Sequence, residues 1–111
     1  MQHEQHQTFI DAIHSMRKLL IVFHSAKDDR IVTRTVAPLD FGPHASFKDK
    51  SDRYHMWDFS SLSGAHTEPL QASQIRSIET LVETFEPEDI VKNFRNWTPK
   101  WHIPRDWGLQ S

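Results

Sequence analysis

The chain has 111 residues, which fits one domain, and its 37% hydrophobic and 25% charged residues are typical of a folded globular protein. The net charge of −2 excludes a surface that is cationic overall, so any anion-binding site must be local. Cysteine is absent, which excludes disulfides, thiolate metal sites and a cysteine nucleophile, and we expect a reducing, cytoplasmic location. The start of the chain lacks a signal-peptide pattern, and the longest apolar stretch is too short to cross a membrane.

An amphipathic helix is predicted over residues 7–17, because Phe9, Ile13 and Met16 recur at helical spacing. Thr8 precedes this face and can cap the helix. The apolar run that follows, residues 19–23, predicts a buried strand.

A second strand is predicted over residues 30–36, which are rich in β-branched side chains and follow a polar turn at 26–29. Pro38 should end this strand, because proline cannot donate to a ladder. The polar stretch 40–52, which contains Gly42-Pro43, predicts an exposed loop.

Residues 53–59 predict a third strand, with Tyr54, Met56 and Asp58 on one face. Residues 60–66 read as a loop and 67–70 as a short extended piece. The segment 75–85 fits either a helix or a strand by periodicity, and its density of β-branched residues favours a strand.

The end of the chain predicts a short helix over 86–96, with acidic residues at its positive end, and a tail over 97–111 that holds three of the four tryptophans. The whole is expected to be mainly β with flanking helices (α+β). About five short antiparallel strands would close into a small barrel, because closure removes exposed edges. The expected core combines the helix face with strand residues Leu19 to Val22, Val36, Met56, Ile78, Val82 and Phe85.

Several short motifs between Leu19 and Phe85 occur in the order and at the spacing of one known family. The most specific is Arg34-Thr35-Val36-Ala37-Pro38-Leu39; the others are Ile21 to Ser25, Arg53-Tyr54-His55-Met56, Leu70 to Ile75, and Leu81 to Pro87. On these motifs the segment 19–85 resembles a WYL domain, without the DNA-binding helices that usually accompany it. The resemblance implies an SH3- or Sm-like β-barrel and a regulatory role, with a nucleic acid, a nucleotide or another anion as the ligand.

The resemblance also implies a ligand site on one concave surface. Its predicted residues are Phe23, Arg34, Arg53, Tyr54, His55, Gln74 and Arg76. Two departures put the ligand class in doubt, because Glu68 and Gln74 stand where the family has arginines. Gln74 keeps a hydrogen-bond donor but loses the charge, and Arg76 is expected to share its face by strand alternation.

Catalysis and metal binding find little support in the sequence. The eight histidines show no ligand spacing, and the three glycines form neither a nucleophile turn nor a phosphate loop. We therefore expect a non-enzymatic domain without cofactor or metal. His55 is a candidate for a charge switch near neutral pH.

The tail alternates bases with aromatics, and four Lys or Arg but no acid occur between Lys92 and Arg105. Its candidate interaction residues are Arg95, Trp97, Lys100, Trp101, Arg105 and Trp107. Such a pattern suits stacking on single-stranded nucleic acid, yet it equally suits tryptophans that cover the protein's own surface or dock on a partner.

Two functions follow. The first is a ligand-binding regulatory module acting in transcription regulation or in defence against mobile DNA such as phage. The second is a protein–protein interaction domain whose tail forms a homodimer or docks on a regulatory partner.

Overall fold

The computed structural model describes residues 2–59, 66–94 and 100–111. It confirms a mainly β fold, with one antiparallel five-stranded sheet and two helices. The elements are α1 (His6–Ser15), β1 (Arg17–Ser25), β2 (Arg30–Gly42), β3 (Arg53–Asp58), β4 (His66–Leu70), β5 (Ile75–Thr84) and α2 (Pro87–Val91), with 3-10 helices at Ala72–Gln74 and Gly108–Gln110.

The N-terminal helix begins and ends earlier than the sequence predicts. Thr8 lies inside α1 and does not cap it; the cap position is Gln5, which makes no side-chain cap hydrogen bond. The helix stops because Met16 adopts a left-handed conformation with φ 56°, and the chain enters β1 at once. The expected apolar face is confirmed, since Phe9 and Ile13 are fully buried and Met16 packs against the core.

The strand order is β4-β3-β2-β1-β5, which makes β4 and β5 the two edges of the sheet. In a flat sheet these edges would lie about 19 Å apart, at about 4.8 Å per strand. The four residues from Gln71 to Gln74 that join β4 to β5 are mostly 3-10 helix, which rises only about 2 Å per residue. The connection spans roughly 12 Å, so the sheet must curl.

The predicted closed barrel is not confirmed, because the observed sheet is open. The described residues of β4 and β5 form no ladder with each other.

The sequence predicts that β2 ends at Pro38, but the strand continues through this residue. Residues 40–42 belong to the strand rather than to the following loop. The ladder with β3 shifts register between Pro38 and Asp40, so the strand accommodates the proline at a bulge. This bulge turns Leu39 and Asp40 into buried positions.

The core lies between α1 and the concave face of the sheet. Leu19, Ile21, Val36, Met56, Ile78 and Phe85 are buried as expected, whereas Leu20 and Val22 are only half-buried. Val82 is not a core residue, since its side chain is 85% exposed. Leu19 of β1 pairs with Thr80 of β5, and Arg17 pairs with Thr84. Over this interval β5 therefore has two residues more than β1, and this irregularity displaces Val82 from the core.

The predicted strand over 75–85 is confirmed as β5, and the burial alternation of β3 is confirmed as well. The C-terminal helix is shorter than predicted and covers only Pro87–Val91. The predicted loop over 60–66 lies outside the described residues except for His66, which begins β4. No helix of the described part of the chain is long and apolar enough to span a membrane.

Candidate ligand site

The loop of residues 43–52, between β2 and β3, is held in shape by its own hydrogen bonds. The carboxylate of Asp49 accepts the Ser51 backbone N–H at 2.9 Å and the Ser51 hydroxyl at 3.0 Å. These bonds lower the pKa of Asp49, the backbone N–H of Ser51 being the largest cause. Lys50 donates to the carbonyls of His44 and Ala45 at 3.3 and 2.9 Å. The loop therefore presents its side chains in a defined arrangement.

Arg53 begins β3 directly after this loop, and its guanidinium lies 4.4 Å from the ring centroid of Phe47. The Arg53 side chain is only 14% exposed, yet it donates no hydrogen bond to any described residue. Its Nε is fully buried without an acceptor, and the nearest carboxylate oxygen, from Asp49, is 3.8 Å away. Leaving a buried donor of a charged group without an acceptor is costly, and the exposed part of the side chain can take an acceptor supplied from outside the chain.

The ring of Phe47, which contacts Arg53, is the first of three neighbouring aromatic rings that we call the stacking column: Phe47, His44 and His55. The rings of Phe47 and His44 stack at 4.4 Å with an interplanar angle of 24°, and His44 lies 5.7 Å from His55. Phe47 is 36% exposed, although large apolar side chains are usually buried. A flat guanidinium beside partly exposed rings suits a ligand with both an anionic and a planar group.

His55 serves the column as a neutral ring. Its Nε2 lies 2.8 Å from the carbonyl oxygen of Gly42, which can only accept, so Nε2 carries the proton. Burial lowers the pKa of His55, an effect that the Gly42 carbonyl only partly offsets. At neutral pH the positive charge beside the column therefore comes from Arg53.

Arg34, the arginine of the most specific motif of the resemblance, has its partners within the fold. Its Nε lies 3.5 Å from the buried carboxylate of Asp58, and its Nη1 donates to the carbonyl of Thr33 at 3.1 Å. Asp58 ends β3 and Arg53 begins it, so Arg34 and Arg53 are separated by roughly 17 Å of strand. The two motif arginines do not converge on one anion.

The remaining predicted site residues are dispersed. Phe23 and Tyr54 are 3% and 0% exposed and belong to the core. The Gln74 amide accepts the Gln71 backbone N–H at 2.9 Å and donates to the His24 carbonyl at 3.3 Å. Arg76 is exposed on β5, whereas Gln74 ends a 3-10 helix before that strand, so strand alternation does not govern where the two side chains lie.

The described part of the tail packs on the protein's own surface. The Trp107 indole donates to the carbonyl of Ile13 at 2.8 Å and its side chain is buried, and the Trp101 indole donates to the carbonyl of Gln110 at 2.8 Å. Lys100 is exposed. Arg95 and Trp97, also predicted to interact, lie outside the described residues.

Arg105 anchors this tail to β2. Its side chain is 0% exposed, its guanidinium packs against the rings of both Trp101 and Trp107 at 4.0 and 4.4 Å, and it donates to the Leu39 carbonyl. It also donates to the carboxylate of Asp40 at 3.2 Å. Burial lowers the pKa of Arg105 to about 10, while Asp40 opposes that change, so the group stays charged at neutral pH. Arg105 is therefore a structural residue in this arrangement.

Asp40 and the bulge of β2 complete the anchor. The Asp40 carboxylate also accepts the backbone N–H groups of His102 and Ile103, at 2.9 and 3.0 Å. The His102 ring lies directly on Gly42: a Cβ there would come within 2.4 Å of the ring. The tail thus crosses β2 at Gly42, whose carbonyl accepts the hydrogen bond from His55.

Sequence reasoning missed Phe47, His44 and Asp49 as site residues and Asp40 as the tail anchor. Phe47 carried the one usable signal, since it is an aromatic residue in a polar loop. Nothing in the sequence pairs Asp40 with Arg105, which are 65 residues apart.

No group of three or more potential metal-binding side chains occurs among residues 2–59, 66–94 and 100–111. Comparison with family models, with curated proteins and with solved structures found no match for this chain.

Proposed function

We propose that this protein is a non-enzymatic binding module that takes a small anionic ligand with a planar ring, of the nucleotide class, at Arg53 and the stacking column. The observation that carries the proposal is the guanidinium of Arg53, largely buried against Phe47 and without a hydrogen-bond acceptor among the described residues. The arrangement offers a phosphate two or more N–H donors in a fixed plane. The ring of the ligand would extend the stack of partly exposed aromatics.

Local charge favours a small ligand over a long strand. The loop and Arg53 together carry three cations, Lys48, Lys50 and Arg53, against the acids Asp49 and Asp52. Lys50 is engaged by the loop's own carbonyls. A nucleic-acid strand needs several phosphate contacts, whereas this surface offers one unsatisfied guanidinium.

The resemblance to WYL domains supports the same class of function, as a regulatory sensor in transcription or in defence against mobile DNA. A small SH3- or Sm-like barrel belongs to this proposal; the curl of the sheet and the short β4–β5 connection support it. A cytoplasmic location, expected from the absence of cysteine, is also part of this proposal.

The test is a binding titration of nucleoside monophosphates and of short single-stranded DNA and RNA, at two salt concentrations, with wild type, Arg53→Gln and Arg30→Gln. Arg30 is the matched control, because it is an exposed arginine at the opposite end of β2. We expect Arg53→Gln to weaken binding by roughly ten- to a hundredfold, the scale of hydrogen bonds to a charged group, and Arg30→Gln to leave it unchanged.

For a mononucleotide, the slope of log affinity against log salt concentration should be smaller by about one in Arg53→Gln than in wild type. Equal losses in both variants would indicate non-specific attraction and contradict the site. Stronger binding of oligonucleotides than of mononucleotides, with a steep salt dependence, would contradict a small ligand. If no ligand binds and sizing gives a dimer or a complex, the function is protein–protein interaction instead.

A further inference from the structure

The N-terminal segment of residues 3–6 ties a core residue of β3 to the edge strand β5. The backbone N–H of His3 donates to the Tyr54 hydroxyl at 2.8 Å, and His3 Nε2 lies 3.0 Å from the carbonyl of Ile75. The Gln5 side-chain amide binds both backbone groups of Ile78: it donates to the carbonyl at 2.9 Å and accepts the N–H at 2.8 Å. Gln5 therefore occupies, on this edge, the place of a neighbouring strand.

Hydrogen bonds constrain the protonation of the two histidines in this segment. The Gln5 backbone N–H lies 3.0 Å from His3 Nδ1 and can only donate, so His3 Nδ1 must be unprotonated. The Tyr54 oxygen accepts the His3 backbone N–H, and when His6 is neutral with an unprotonated Nδ1 the Tyr54 hydroxyl proton has that nitrogen as its acceptor at 2.8 Å. In this state both rings act as acceptors at Nδ1.

A proton on His6 opposes this arrangement. It would turn Nδ1 from acceptor into donor, so that two donors would face the Tyr54 oxygen and the buried hydroxyl proton would lose its acceptor. The groups facing His6 are the rings of Phe41 and Tyr54, at 4.7 and 5.7 Å, and His3 on its own segment. The charge of Asp52 acts on Tyr54, and the segment itself carries one acidic residue, Glu4, whose side chain is exposed. Consistent with this geometry, burial lowers the pKa of His6 and raises that of Tyr54.

We propose that residues 3–6 form an acid-released clasp, in which protonation of His6 detaches the segment from Tyr54 and frees the edge of β5 at Ile78. The step moves one proton from solvent to His6 Nδ1 and breaks the Tyr54 hydroxyl bond, without covalent change. The clasp is independent of the ligand site, since Arg53 and the stacking column take no part in it.

The test is amide hydrogen exchange of Ile78 without any ligand, expressed as protection relative to the intrinsic rate, at about pH 7.5 and about pH 5.5. Wild type should lose protection on the order of tenfold upon acidification, because the opening is linked to uptake of one proton. His6→Asn should keep its protection at both pH values, since the Asn carbonyl can accept the Tyr54 hydroxyl but cannot be protonated. His14→Asn, an exposed histidine on the same helix, is the control and should respond like wild type.

Two results would overturn the clasp: wild type and His6→Asn losing protection equally, or no loss in wild type. Gln5→Ala provides a second check that does not depend on the His6 variant. It should lose Ile78 protection at both pH values, and unchanged protection in this variant would mean that Gln5 does not hold the edge. Amides of the central strand β1 should stay protected throughout.

Discussion

Three arginines among the described residues are largely buried, and their partners decide what each one does. Arg105 is paired with Asp40 and packed against two tryptophans, and Arg34 is paired with Asp58. Arg53 is slightly more buried than Arg34 but has only a distant, exposed carboxylate. Because burial without partners costs free energy, Arg53 is the one arginine of the three that the fold does not need.

Replacing these arginines by methionine should therefore have opposite effects on stability. Arg105→Met should lower the free energy of unfolding by about 3–5 kcal/mol, because it leaves the buried Asp40 carboxylate without its positive partner. Arg53→Met should leave it unchanged or raise it, because an unsatisfied charge is replaced by an apolar chain. Urea unfolding of both variants measures the difference. A large destabilisation in Arg53→Met would mean that Arg53 has a structural role.

At the scale of elements, β5 shows how a register shift overrides a periodic pattern. Ile78 and Val82 are four residues apart in one β-branched segment and look equivalent in sequence. Ile78 pairs with Ile21 and is 3% exposed, whereas Val82 lies within the irregularity opposite Arg17 and Leu19 and is 85% exposed. The strand is continuous, but only its first part contributes to the core.

Substitutions at the two positions should separate these roles. Ile78→Ala should cost about 2–5 kcal/mol, because it removes buried methyl groups and leaves a cavity. Val82→Ala should change stability by less than about 0.5 kcal/mol, as exposed substitutions generally do. Chemical denaturation checks both. A Val82→Ala loss comparable to that of Ile78→Ala would contradict the exposed position of Val82.

At the scale of the whole molecule, two half-buried histidines make stability depend on pH. Burial lowers the pKa of both His6 and His55 in the folded state. Between the folded pKa and the ordinary value of about 6.5, the unfolded chain binds more protons than the folded chain. Their contribution to stability is thus fully present above about pH 6.5 and is lost as the pH falls through the folded pKa values.

We therefore expect the urea midpoint to be constant between about pH 7 and 8 and to fall between about pH 6.5 and 5. The double variant His6→Asn, His55→Asn should show a smaller fall, whereas His14→Asn should behave like wild type. Asp49 cannot account for a change in this range, because its lowered carboxyl pKa acts only at more acidic pH. A midpoint that rises on acidification would contradict this sign.

The sequence by itself determined which segments form helices and strands. Apolar spacing predicted α1, β-branched density predicted β5, and strict alternation predicted which face of β3 is buried. These features are local: a side chain's period along the chain places it on one face of an element regardless of what packs there. The helix boundaries at Thr8 and Arg17 and the strand end at Pro38 were wrong, because they depend on neighbouring elements. The helix starts after Gln5, whose side chain binds Ile78, and ends at a left-handed Met16, while β2 continues through a bulge.

Tertiary structure alone decided which charged and polar groups have partners. The resemblance predicted seven ligand-site residues, of which Arg53 and His55 lie together beside the loop, while Arg34 lies at the opposite end of β3. Phe47 and His44 joined the candidate site, and Asp40 joined the tail, through contacts that no spacing in the sequence encodes. The physical reason is that hydrogen bonds and ion pairs depend on distances of a few ångströms between segments far apart in the chain, and only folding sets those distances.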